Sequence, residues 1–213
     1  MRIEWKKYIQ LMNERPYSFV DDGNIHIVKD EKIIKKYERE HNKVIGVVYE
    51  SEYNIMVVDL VYEIEGEYYA YERILPAVEQ GAVVILPFYN GKLVMLHQYR
   101  HALRQYQYAI PRGFAEKNVS SIDNVKKEIC EELGADVISY EYCGKIAPDS
   151  GMTSRSVDVY SCEISNYETK SQHEGISRTI ELSEDEMAQW ILEGKITDGF
   201  TLAAYCLWCK RIH

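Results

Sequence analysis

Residues 82–100, AVVILPFYNGKLVMLHQYR, set two apolar runs on either side of Asn90-Gly91. Both central residues of a type I′ turn need positive φ, which Asn and Gly adopt at low cost, and the twist of that turn suits two antiparallel strands. The stretch therefore predicts a tight β-hairpin, and any fold for this chain has to build a sheet around it. Upstream, residues 24–77 read as strand-like, with VIGVVYES, YNIMVVDLVYEI and YYAYERIL separated by polar or glycine breaks and the last two joined around Glu65, Gly66 and Glu67. This is the pattern of an antiparallel meander. Residues 4–14 predict a short helix that ends before Pro16. Downstream, strands are expected near Val137 to Ile146 and Ser156 to Ile164, and SEDEMAQWILEGKITDGFTLAAYCLWCKR reads as two helices divided around Gly194 to Gly199. Ser183 with Glu186 three residues later caps the first of them. Strands and helices in this order fit a mixed sheet covered by helices on both faces. No internal repeat or low-complexity segment occurs, which excludes a solenoid or propeller.

Between these strands lies GFAEKNVSSIDNVKKEICEELGA, Gly113 to Ala135. Ile122, Val125, Ile129 and Leu133 recur at helical spacing and form an apolar stripe. Ser120 with Asp123, or Ser121 with Asn124, offers an N-terminal cap, and Gly134 is placed to end the helix in the left-handed conformation. Beside the stripe stand Glu128, Glu131 and Glu132, three and four residues apart. At about 100° per residue these positions share one face of an α-helix, where like charges repel. Such a face becomes useful when it holds a hard divalent cation, because Mg²⁺ takes oxygen ligands from several directions.

Composition limits the classes this chain can join. With 213 residues it can bury a full core and holds one domain with an appendage or two small ones. The net charge of −9 argues against a nucleic-acid partner, so a phosphate-bearing substrate needs local cations, and Arg100, Arg104, Arg112 and Arg155 are the candidates. No run of apolar residues is long enough for a signal peptide or a membrane span, and a cytoplasmic protein with no membrane partner is expected. Five cysteines with scattered spacing fit reduced thiols, and the lone Cys206-x-x-Cys209 pair in an apolar helical segment reads as packing.

The Gly113–Ala135 stretch resembles the Nudix box, G-x5-E-x7-R-E-U-x-E-E-x-G-U with U a bulky aliphatic residue. Gly113, Glu128, Ile129, Glu131, Glu132 and Gly134 match in register, while Val119, Lys127 and Ala135 stand where the pattern has Glu, Arg and a larger aliphatic residue. The likeness extends to the ADP-ribose pyrophosphatase branch of that superfamily. It rests on Gln98-Tyr99-Arg100, on I-P-R-G before the box, on P-D-S-G-M-T-S at 148–154 and on E-G-K-I-T-D-G at 193–199. The resemblance implies a Nudix α/β/α sandwich with a mixed sheet over residues 78–213. Residues 1–77 would form an N-terminal helix and antiparallel sheet that help build a homodimer and the adenosine side of the site.

The same resemblance implies chemistry. Glu128 and Glu132 would ligate Mg²⁺, or Mn²⁺, with Glu131, Glu116 and the backbone carbonyl of Arg112 joining the shell and Glu131 and Glu132 serving catalysis. Arg100 and Arg112 would bind substrate. The general base is expected on the loop SQHEGI, where Glu174 is the only carboxylate and Gln172 occupies a position that is acidic in some relatives. The expected reaction is hydrolysis of the pyrophosphate bond of a nucleotide sugar, ADP-ribose to AMP and ribose 5-phosphate. Another nucleotide sugar, or a Nudix module that senses a nucleotide without cutting it, is the alternative.

Overall fold

The computed structural model describes residues 2–63, 66–168 and 174–212. The chain divides into two compact units, Met1–Ala77 with Asp149–Arg155, and Val78–Pro148 with Ser156–His213. The segment Asp149–Arg155 thus packs with the first unit, not with the second, where the sequence reading had put it.

In the first unit, α1 (Ile3–Glu14) buries Trp5, Tyr8 and Leu11 and is followed by a 3₁₀ turn at Pro16–Phe19. A short strand, β1 (Ile25–Ile27), leads into α2 (Glu31–His41). This helix corrects the strand-like reading of residues 24–77. Asp30 caps it by accepting from the amides of Lys32 and Ile33, and Asn42 ends it with φ 51°. Ile34 is its buried anchor, so a mostly charged segment forms a helix because one apolar side packs. Then come β2 (Gly46–Glu50), β3 (Asn54–Glu63) and β4 (Tyr69–Pro76), all antiparallel. β3 is central: β4 pairs with most of it, while β2 and β1 pair with its first and last parts. Asp59 on β3 is 2% exposed and sits in a polar knot. It accepts from the Tyr8 hydroxyl and pairs with Arg73 Nε at 2.5 Å, while Arg73 Nη1 donates to the Ser18 carbonyl at 2.7 Å. The detached segment is stitched to β4 by Ile74 N to Met152 O and Ser154 N to Ile74 O, and Arg155 donates to Asn54 Oδ1.

The second unit is an α/β/α sandwich. Among the described residues its strands are β5 (Val83–Tyr89), β6 (Lys92–Arg100), β7 (Gln105–Ala109), β8 (Arg112–Gly113), β9 (Val137–Ile146), β10 (Val157–Ile164) and β11 (Ile176–Leu182). They run in the order β11-β6-β5-β10-β9, with β7 on β6 and β8 on β5. β10 pairs with β5 in parallel and every other pairing is antiparallel, so the sheet is mixed. Asn90 and Gly91, at φ 50° and 75°, make the expected hairpin turn between β5 and β6. Val83 and Ile85 point to one face and Val84 and Leu86 to the other, and each face has its own core. On the first face lie Val125, Ile129 and Leu133 of the helical segment that starts with α3 (Ser121–Glu128). The other is covered by α4 (Glu184–Leu192) and α5 (Gly199–Ile212), through residues such as Met187 and Ala204. Ser183 and Glu186 form the anticipated capping box of α4. Among the described residues no helix is long and apolar enough to cross a membrane.

Candidate active site

Ser120 starts α3 by accepting from the Asp123 amide, leaving Ser121 free to meet the Tyr160 hydroxyl and Asn124 free for another task. The helix ends in a π turn, Ile129–Leu133, closed by Gly134 at φ 64°. Single π turns inside helices occur often at functional sites. Along the inner side, Asn124, Glu128 and Glu132 stand four residues apart and are 0%, 8% and 4% exposed. Glu131 does not share their surroundings: it is exposed and pairs with Lys127 at 3.6 Å. The expectation of three carboxylates on one working face therefore becomes two buried acids and one surface acid. Glu116, in the loop after Gly113, also pairs with Lys127. The Lys127 ammonium thus clips the loop to the outer side of the helix.

Gly113 lies directly against Glu128. A β-carbon at this position would come 2.6 Å from both Cγ and Cδ of Glu128, and closer still to Oε1. The glycine lets the Glu128 carboxylate lie against the strand, and a wider residue would have to displace that side chain. Burial pushes the Glu128 carboxyl up to about 7, with Glu131 adding to the rise and Lys127 opposing it. Glu132 is raised well above the usual carboxylate range, first by burial, then by Glu128 and Glu174, against the pull of Arg100 and Arg112. Glu132 Oε2 is buried with no hydrogen-bond partner among the described residues.

Two guanidinium groups influence this pair. Arg112 on β8 donates to Asp198 Oδ1 at 3.4 Å and stacks over Phe200, 4.9 Å from the ring centroid. Arg100, at the end of β6, has Nε and Nη2 buried without hydrogen-bond partners among the described residues, and burial together with Arg112 lowers its pKa. Glu174 is exposed, with φ 54°, and its carbonyl accepts from Gln98 Nε2 at 2.9 Å, which ties the turn before β11 to β6. Gln172 lies outside the described residues. Arg104 is elsewhere, beside His101 and over Tyr99, and Arg155 belongs to the first unit.

Asp198 and Thr201 were not singled out from the sequence. Asp198 Oδ2 accepts from Thr201 N at 3.0 Å and Thr201 Oγ1 at 2.8 Å, and Thr201 Oγ1 accepts from Ile110 N at 3.2 Å. This clip joins the start of α5 to the strand carrying Arg112. Its signal was present in D-x-x-T, the three-residue spacing of a helix cap. Among the described residues no three side chains of the His, Cys, Asp and Glu types converge into a ready metal site.

No family model matches the chain. A protein described as "Methanol dehydrogenase activator", from Bacillus methanolicus, is 30% identical over 130 residues, spanning 58% of this chain and 69% of that one. The crystal structure of an ADP compounds hydrolase superposes with a TM-score of 0.66 at 15% identity, covering 78% of this chain and 90% of its own. Both are Nudix proteins, and the sandwich with its loop-helix box defines the same class here. The chain belongs to the Nudix superfamily.

Proposed function

We propose that this protein hydrolyses the pyrophosphate bond of a nucleoside diphosphate derivative with Mg²⁺ bound, Mn²⁺ substituting, and that ADP-ribose is cut to AMP and ribose 5-phosphate. The observation that carries this reading is the buried pair Glu128 and Glu132 beside the guanidinium groups of Arg100 and Arg112. A divalent cation suits the pair. Burial raises the pKa of both carboxyls and Glu128 raises that of Glu132 further, Glu132 Oε2 has no donor among the described residues, and all the donor atoms are hard oxygens. Glu128 and Glu132 would hold the ion, with the Arg112 carbonyl as a further donor by resemblance, and Glu131 and Glu116 joining only on release from Lys127. When bound, the ion supplies Lewis acidity toward phosphate oxygens and acidifies a water.

The chain's own groups do the rest. Cleaving a phosphoric anhydride is mostly a matter of positioning and of stabilising negative charge. Arg100 has donors with no partner among the described residues, and Arg112 is held by Asp198 and Phe200, so the pair forms a prearranged cationic wall for phosphate oxygens. Glu174, exposed and anchored through its backbone by Gln98, accepts the proton of the attacking water. The ADP compounds hydrolase shares the fold, which agrees with an enzyme of this kind.

The same reading takes the protein to be a cytoplasmic homodimer formed through the N-terminal sheet unit. That unit leaves Tyr49, Tyr53, Tyr62 and Tyr68 exposed. A second reading follows from the name of the Bacillus methanolicus relative: the chain acts on a partner enzyme as an activator. Val119 and Lys127, where the box pattern has Glu and Arg, accord with a weaker hydrolase of that sort. The deciding experiment incubates purified protein with a panel of nucleoside diphosphate derivatives and Mg²⁺ or Mn²⁺, with products identified by chromatography. AMP from ADP-ribose, abolished by chelator, is the expected result. No turnover of any member rejects the hydrolase and leaves the activator.

A further inference from the structure

Asn124 is fully buried, and its side-chain Nδ2 donates to two carbonyls from separate parts of the chain, Gly81 O at 2.7 Å and Phe114 O at 2.8 Å. These carbonyls flank the open end of a short ladder. β5 and β8 pair at Val84↔Arg112 and Val83↔Gly113 and go no further, so the amide bridges the two chains just where their own hydrogen bonds stop. Gly81 has φ 105°, and a β-carbon there would come 3.0 Å from the Val119 carbonyl, so the far end of the box loop lies against the same residue. Asn124 also sits one helical turn before Glu128 on the buried stripe, and Gly113, beside Phe114, is the residue pressed on the Glu128 carboxylate.

We propose that Asn124 is a positioning residue of the metal site: its amide closes the β5–β8 gap, holds the Gly113–Phe114 peptide at fixed distance from α3, and thereby fixes the Glu128 carboxylate. The proposal rests on the reading of Glu128 and Glu132 as metal ligands. Both amide hydrogens are committed to carbonyls, and Asn124 Oδ1 is left buried with no partner among the described residues. Leaving that acceptor unsatisfied is unfavourable, so the residue is explained by what its two donors do. A helix-capping or purely space-filling role does not need them, since Ser120 caps the helix and an apolar side chain fills space without a stranded oxygen. In this chain the box lacks a glutamate at Val119, and the loop is tied down from beneath by Asn124 and from outside by Lys127.

The test compares wild-type protein with Asn124→Ala, in which a water can enter and bridge the two carbonyls. Hydrogen–deuterium exchange on metal-free protein is expected to speed up across residues 113–119 while Val125 to Leu133 stay protected. Mg²⁺ affinity measured by calorimetry should fall about 10- to 100-fold, the usual effect of removing a support behind a ligand. Unchanged loop exchange, or unchanged Mg²⁺ affinity, overturns the proposal. Wild-type protein that binds no Mg²⁺ sinks the metal reading itself, and the loop exchange still decides whether the amide holds the loop. Should the alanine variant fail to fold, nuclear magnetic resonance of wild-type protein decides that same point. The Asn124 side-chain hydrogens are expected to exchange as slowly as core amides, and rapid exchange refutes the proposal.

Discussion

Gly113→Ala separates the fold from the site more cleanly than any other single substitution here. The added β-carbon would meet Glu128 Cγ and Cδ at 2.6 Å, whereas carbon atoms rest at about 3.5–4.0 Å, so one partner has to retreat by roughly 1 Å. The partner that can move is the Glu128 side chain, because Gly113 is a strand residue outside the positive-φ region and its backbone accepts alanine. Driving a glutamate off its rotamer costs about 0.5–1.5 kcal/mol, and overpacking a tight contact about 1–3 kcal/mol, so a loss of about 1–2 kcal/mol in stability is expected. The chemistry should suffer more, since a displacement of about 1 Å in a reacting group lowers rates on the order of 100-fold. Urea denaturation gives the first quantity, and initial rates on ADP-ribose across a Mg²⁺ titration give the second. A variant with wild-type rate and Mg²⁺ dependence would refute the reasoning. So would one whose whole loss of activity follows from unfolding, because both outcomes mean that Glu128 does no work in the position the strand forces on it.

Glu132→Gln should abolish turnover yet leave thermal stability of the metal-free protein about unchanged, because burial favours the neutral form of this carboxyl and a glutamine amide matches that form in size; a clear drop in melting temperature would contradict this. For pH, Glu128 has its folded-state pKa raised to about 7 from an unfolded value of about 4.3, so the stability it contributes is complete below that unfolded value and is lost as pH rises through 7. Melting temperatures in chelator should therefore fall between about pH 5 and pH 8, and a slope unaltered in Glu128→Gln would rule out this source. In the first unit, Asp59→Ala leaves Arg73 and Tyr8 without their buried acceptor, and a loss of about 3–5 kcal/mol in urea melts is expected. A loss below about 1 kcal/mol would mean that solvent reaches the Arg73 guanidinium.

Local rules written in the sequence determined much of this protein. The Asn90-Gly91 turn, the Ser183–Glu186 cap, the stop at Gly134 and the apolar stripe Ile122, Val125, Ile129, Leu133 depend on neighbours a few residues away, so spacing alone exposes them. The same holds for the acids of the box, whose identity and order are a pattern along one helix. Segment α2 was misread because its signal is weak: one buried Ile34 among charges becomes a helix only when Asp30 caps it and a core receives it. Tertiary structure alone decided which acids are sheltered. Helical geometry put Glu128, Glu131 and Glu132 on neighbouring positions, and only the packing against β8 and the reach of Lys127 sorted them into a buried pair and a surface acid. For Asp198, Thr201 and Asn124 the sequence offers only the spacing of helix caps, and what else each one holds was hidden for the same reason. Their partners lie at Ile110, Arg112, Gly81 and Phe114, distant in sequence, and a hydrogen bond across such a separation has no spacing to read.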